Sequence, residues 1–118
     1  MMDKDELGRR GEEIAAAHLR AKGFELLDRN WRVREGELDI VAREGAALVV
    51  VEVKTRSSAR FGMPIEAITR AKAQRLRRLA YAWAREHDQR ARHLRIDAVG
   101  IIAPDGVPVQ VRHFRAVA

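Results

Sequence analysis

The sequence predicts an α/β protein with its elements in the order α-β-β-β-α-β-β, on three observations. Two stretches carry apolar residues at helical spacing, and five shorter ones read as strands bounded by turn residues. No repeat, low-complexity segment or linker divides the 118 residues, which gives one domain over 1–118. A chain of that length buries about two-thirds of its unfolded surface around one core.

From Asp5 to Ala21, the residues Leu7, Gly11, Ile14, Ala15, His18 and Leu19 line one helical face, and Gly23 in "AKGF" marks the stop. Phe24 to Asp28 reads as a short strand and "NWRVREGE" as a polar bend. Glu37 to Ala42 alternates as a second strand, "REGAA" turns, and Leu48 to Thr55 is a third, apolar enough to be buried on both faces. "RSSARFGMP" is a loop. A second helix follows from the spacing of Ile65, Ile68, Lys72, Leu76, Leu79, Ala80 and Trp83. "HLRIDAVGII" is a fourth strand, "APDG" a turn, and "VPVQVRHF" a fifth, which Pro108 places at an edge.

A hydrophobic content of 47% excludes a disordered tail, while 34% charged residues and a net charge of +6 predict an anionic partner. Nucleic acid and an anionic membrane face both fit that charge, but no apolar run is long enough to span a bilayer and no signal peptide opens the chain. The absence of cysteine excludes disulfides, thiolate nucleophiles and Cys-ligated zinc, so the expectation is a soluble cytoplasmic protein. No P-loop, dinucleotide fingerprint or GxSxG occurs, and the four histidines show no HExxH spacing.

Glu52 and Lys54 interrupt the most apolar strand, "ALVVVEVK". Because strand side chains alternate, the two share a face with their Cα atoms about 6.6 Å apart. Burying them requires an ionic partner or a metal. Glu37 and Asp39 likewise share a face of the preceding strand, and a loop of Glu44 to Ala47 sets a register with Asp39 opposite Glu52. Facing carboxylates repel unless a cation lies between them. Mg²⁺ suits such a pair: it prefers oxygen, takes one or two carboxylates and keeps waters that phosphate oxygens can replace. Lys54 could then orient a water or stabilise charge at a phosphorus under attack. On spacing alone, a salt-bridge cluster at an exposed strand end accounts for the same residues equally well.

With Asp39 as first acid and "EVK", Glu52 to Lys54, as second acid and lysine, the chain resembles the PD-(D/E)xK nuclease superfamily. The stretches "GRRGEEIAAAHLRAKGFELLDRNWRVREGELDIVA", "LVVVEVKTR", "FGMPIEAITRAKAQRL" and "RIDAVGI" resemble the YraN family over nearly the whole chain. That bacterial family is related to archaeal Holliday junction resolvases. The resemblance implies a restriction-endonuclease-like fold, with a mixed central sheet flanked by helices. It also implies a Mg²⁺ or Mn²⁺ site at Asp39 and Glu52, a helix acid at Glu12, and Lys54 as the catalytic lysine. Leu38 stands where many members of the superfamily have proline.

Arg32, Arg34, Arg56 and Arg60 flank the acidic strand segments and are read as phosphate contacts from loop positions. Lys72 falls on the apolar stripe of the second helix; it either snorkels outward or, as the resemblance favours, points into the cleft. Arg70, Arg75, Arg77, Arg78 and Arg85 read as a solvated helix face, and Asp97 as a structural acid. The resulting expectation is a metal-dependent endonuclease-like protein acting on branched or structured DNA, and paired nicks in a four-way junction would need a homodimer. The alternative is a non-catalytic nucleic-acid-binding module that recruits protein partners in DNA processing or uptake.

Overall fold

A computed structural model describes residues 3–58, 68–104 and 109–118. The elements are α1 (Lys4–Ala21), β1 (Glu25–Val33), β2 (Gly36–Glu44), β3 (Ala47–Arg56), α2 (Arg70–Glu86), β4 (His93–Ile102) and β5 (Gln110–Phe114). Their order is the expected one. Ile65, Arg60 and Pro108 lie outside the described residues.

The five strands form one mixed sheet in the order β1-β2-β3-β4-β5. Only β3 and β4 run parallel, because α2 carries the chain back between them. The helices cover opposite faces. Ala15 and Leu19 of α1 bury Ile40, Ala42, Val49, Val51, Val99 and Ile101, while Leu76, Leu79, Ala80 and Trp83 of α2 bury Val41, Leu48, Val50 and Ile96. β3 is thus apolar on both faces, as its sequence requires. No helix among the described residues is long and apolar enough to cross a membrane.

Local chemistry sets the ends. The Asp3 side chain caps α1 by accepting from Glu6 N–H at 2.8 Å. At the other end Gly23, with φ +93°, allows Gly23 N–H to reach Arg20 O and Phe24 N–H to reach Leu19 O, a Schellman stop. Two expected features differ. The "NWRVREGE" segment is not a bend: β1 continues to Val33, because Trp31 and Val33 pack on the α2-side core, and only Arg34 and Glu35 turn. The β2–β3 loop is Gly45 and Ala46 alone, since Glu44 and Ala47 still pair. Gly45 has φ +56°, as the first position of a tight two-residue hairpin favours.

Candidate metal and phosphodiester site

The β2–β3 register pairs Ile40 with Val51 and Glu44 with Ala47, so its continuation places Asp39 across from Glu52. The regular ladder stops there. Val53 N–H donates to the Asp39 side-chain Oδ2 at 2.9 Å, taking a side-chain acceptor where the two strands part. Leu38 packs in the α2-side core although Ile40 and Ala42 pack beneath α1, so the alternation of β2 breaks at Asp39. On the other flank, continuing the pairs Arg29 with Ile40 and Trp31 with Leu38 sets Asn30 opposite Asp39. Asn30 has φ +54°, a left-handed conformation that asparagine tolerates better than most residues.

This irregularity lets Asp39 feel acids from two layers. Burial, and then the charge of Glu52, push its carboxyl up to about 7; the Val53 N–H opposes the shift, and Glu12 adds to it from α1. Glu12 is placed by Gly11. A Cβ at Gly11 would lie 1.8 Å from Thr55 Oγ1, so only glycine lets α1 sit this close to β3.

Glu52 is in step with Leu48 and Val50 and looks toward α2, where Lys72 Nζ lies 3.5 Å from its Oε2. Lys72 therefore reaches the cleft instead of snorkelling away. Lys54 is half-buried on the same face and makes no hydrogen bond or ion pair among the described residues. Its neighbour on β4 is Gly100, which has no side chain to cover the ammonium. Two clefts open beside the acids. One, of about 190 Å³, is lined by Glu52, Lys72, Arg75 and Leu79; the other, of about 690 Å³ between α1 and β1, is lined by Glu12, Asn30, Arg9 and Arg32.

Lys72 answers the charge of Glu52 while Asp39 accepts only a backbone N–H, and such a carboxylate pair suits a cation that needs one or two protein ligands. Among the described residues no group of three or more His, Asp or Glu side chains converges tightly enough to hold a metal by itself. Glu12 is thus a peripheral acid. Glu37 does not join the pair, because it is exposed and bridged to its cross-strand partner Arg32 at 3.0 Å.

The expected phosphate contacts are placed differently. Arg32 lies in β1 and Arg56 ends β3, so neither is in a loop, whereas Arg34 is exposed in the β1–β2 turn. Sequence reasoning missed Asn30 and assigned Arg75 to solvent. The signal for Arg75 was its spacing, one helical turn beyond Lys72.

The family model described as Uncharacterised protein family UPF0102 matches residues 11–101. UPF0102 proteins of Beutenbergia cavernae and Frankia alni are 52% and 54% identical to this chain, over 99% and 98% of it and 99% and 96% of their own lengths. Among solved structures, Pyrococcus furiosus SfsA in complex with Ca²⁺ is similar over 98% of this chain at 16% identity and a TM-score of 0.43. The chain spans 64% of that longer one. The family match runs from Gly11, the seat of α1, through Asp39, Glu52, Lys54 and Lys72 to Ile101, and the chain belongs to the UPF0102 family, to which the YraN resemblance pointed.

Proposed function

We propose that this protein is a Mg²⁺ or Mn²⁺-dependent nuclease of the PD-(D/E)xK kind that hydrolyses phosphodiester bonds in branched or structured DNA. The observation that carries the reading is the Asp39–Glu52 pair. One of the two is pushed up to about 7 by burial and by the other's charge, an arrangement that is unfavourable until a cation joins it. Asp39 and Glu52 would hold the ion directly, and Glu12 would act on its hydration shell. The ion would supply Lewis-acid polarisation of the phosphate and of a water.

The protein's own groups do the rest. Val53 N–H holds one oxygen of the Asp39 carboxyl, Oδ2, beside Glu52 on the next strand. Lys54, half-buried opposite Gly100, would supply positive charge to the non-bridging phosphate oxygens, where negative charge grows as water adds to phosphorus and gives up a proton, and the ester P–O bond breaks with its oxygen taking a proton from solvent. Arg32, Arg34, Arg56 and Lys72 are assigned to backbone phosphates. Paired cleavage of a four-way junction would require two copies of the chain.

One observation favours a second reading. Lys72 already stands 3.5 Å from Glu52, so the cleft holds a partly neutralised acid without any metal. A nucleic-acid-binding module that recruits partners without cleaving would need no more. The deciding experiment follows a labelled four-way junction and a matched linear duplex in Mg²⁺ and in Mn²⁺, with wild type and Lys54→Ala. Metal-dependent scission of the junction that disappears in the variant supports the nuclease. Salt-sensitive binding without scission in either metal supports the module, and a protein that neither binds nor cuts overturns both.

A further inference from the structure

Helix α2 carries Arg70, Lys72, Arg75, Arg77, Arg78 and Arg85 against a single acid, Glu86. Lys72 is engaged by Glu52, and Arg77 donates to Ala118 O at 3.0 Å. Arg75, Arg78 and Arg85 are exposed and make no ion pair or hydrogen bond among the described residues. At about 100° per residue these three fall within one sector of about 80°, and at about 1.5 Å per residue they span about 15 Å along the helix. A surface that only needed solubility would scatter or pair such charges.

Two adjoining clefts give this sector a direction. The first contains Glu52 and Lys72, and Arg75 and Leu79 line its wall. The second, of about 370 Å³, is lined by Arg75 and Leu79 again, with Arg78, Ala82 and, on the facing wall, Glu35. The shared residues join the two clefts along α2 from Lys72 to Ala82, and Arg85 follows one helical turn beyond Ala82.

We infer that Arg75, Arg78 and Arg85 form a phosphate track that holds the backbone of one nucleic-acid strand leading away from the Asp39–Glu52 site. A guanidinium fork binds a phosphate through two parallel bonds, and each duplex strand carries one phosphate per about 3.4 Å of helix axis, so three arginines spread over about 15 Å can each meet a different phosphate, about three in all. An anion with a regular repeat is the ligand that an unpaired row of arginines, beginning beside the acid pair, fits best. Glu35 on the opposite wall opposes any anion in the groove, which gives a substitution with the reverse effect. The ligand rests on the function proposed above, but the track is tested without metal and without cleavage.

The experiment measures binding of a labelled four-way junction and a matched duplex to the full chain in EDTA, across a range of salt. Arg75→Gln, Arg78→Gln and Arg85→Gln are combined in one variant. Its control removes the same charge from Arg20, Arg90 and Arg92, which are exposed on other surfaces. Because the track variant neutralises about three phosphates fewer, its log–log salt slope on duplex is shallower by about 2.7, while the control changes the slope by less than about 1. Glu35→Gln tightens binding. Equal effects of the two triple variants, an unchanged slope in the track variant, or no nucleic-acid binding by wild type would each overturn the track. So would tighter capture of an acidic peptide than of duplex. Absence of scission in Mg²⁺ with the slope change intact would refute the nuclease and leave the track standing.

Discussion

Asp39 and Asp97 are acids on the two strands that flank β3, and their surroundings push them in opposite directions. Asp97 is 0% exposed, yet Arg95 donates to both its oxygens at 2.8 and 2.9 Å, Ala116 N–H donates to Oδ1 at 2.9 Å, and His113 Nε2 lies 2.7 Å from Oδ2. Burial would raise its pKa, but these bonds, led by Arg95, hold the carboxyl below its ordinary value. Asp39 receives one backbone N–H and faces another acid, and it rises to about 7. A buried acid whose partners answer its charge is a structural knot, whereas the half-buried Asp39 faces a second acid and has its charge left largely unanswered.

The knot also anchors the end of the chain. Since a carboxylate can only accept, His113 Nε2 carries the proton, and Nδ1 is left to accept from Lys22 Nζ at 3.3 Å. Glu44 binds Arg95 and Arg115, and Val117 N–H reaches Ile96 O, so the C-terminal segment is pinned to β2 and β4. Asp97→Asn has the largest expected effect. It leaves Arg95 and the histidine around a neutral amide and destabilises by about 3 kcal/mol in denaturant melts. A change below about 1 kcal/mol would show that the knot is not structural.

Gly11→Ala comes next, because the added Cβ overlaps Thr55 and α1 must move off β3. The expected loss is about 2 kcal/mol. Thr55→Ala added to it restores part of that loss, since the nearest clashing atom disappears. Full additivity of the two changes would sink the close-seat explanation.

Asp39→Asn is expected to act with the other sign. Asparagine still accepts from Val53 N–H but carries no charge toward Glu52, so in chelator at pH 8 the fold gains about 1 kcal/mol, or ~4 °C in Tm, while any metal-dependent activity is lost. The pH dependence separates the two acids. Asp39 has a folded pKa above its unfolded value of 3.8, so its ionisation destabilises increasingly from about pH 4 to about 7, and the advantage of asparagine vanishes toward pH 4. Asp97 has a folded pKa below 3.8, so its contribution is full above that value and is lost as pH falls through the lower one. Burial likewise depresses His113 below 6.5, among Asp97, Lys22 and Arg115, so its neutral form is lost, and stability with it, as pH drops through the range below 6.5. Parallel pH profiles for Asp39→Asn and Asp97→Asn would erase the distinction.

The difference between the two acids was half legible in the sequence. Apolar spacing, Gly23 and the run Leu48 to Val51 give the elements and their order, because burial of those side chains dictates both. The facing of Asp39 and Glu52 follows from a hairpin whose even loop length fixes the register, and a loop of two residues fixes it as well as one of four. The continuation of β1 through Trp31 was hidden by its polar neighbours, since its apolar residues are held by a helix about 50 positions away in sequence. Asp97 and His113 are 16 positions apart and meet only through the β4–β5 pairing, so no local pattern announces their bond. Nor does local sequence show that Arg75 lines the Glu52 cleft, which depends on how α2 lies across the sheet.

Lys72→Met has the smallest expected effect on stability and sharpens the comparison most. Lys72 stands to Glu52 as Arg95 stands to Asp97, but at 3.5 Å against 2.8 Å, and as a single ammonium where the guanidinium forks. Its pair is also partly open to water, with 30% and 18% of the two side chains exposed. Such a bridge contributes about 0.5 kcal/mol and fades with salt. The Tm of Lys72→Met therefore falls by ~2 °C at low salt and less at high salt. A loss as large as that of Asp97→Asn would make the Glu52 cleft a second structural knot. If the loss is small and Mn²⁺ raises the Tm of the methionine variant at least as much as that of wild type, Lys72 is a placeholder cation, and the acid pair keeps its capacity for a metal without it.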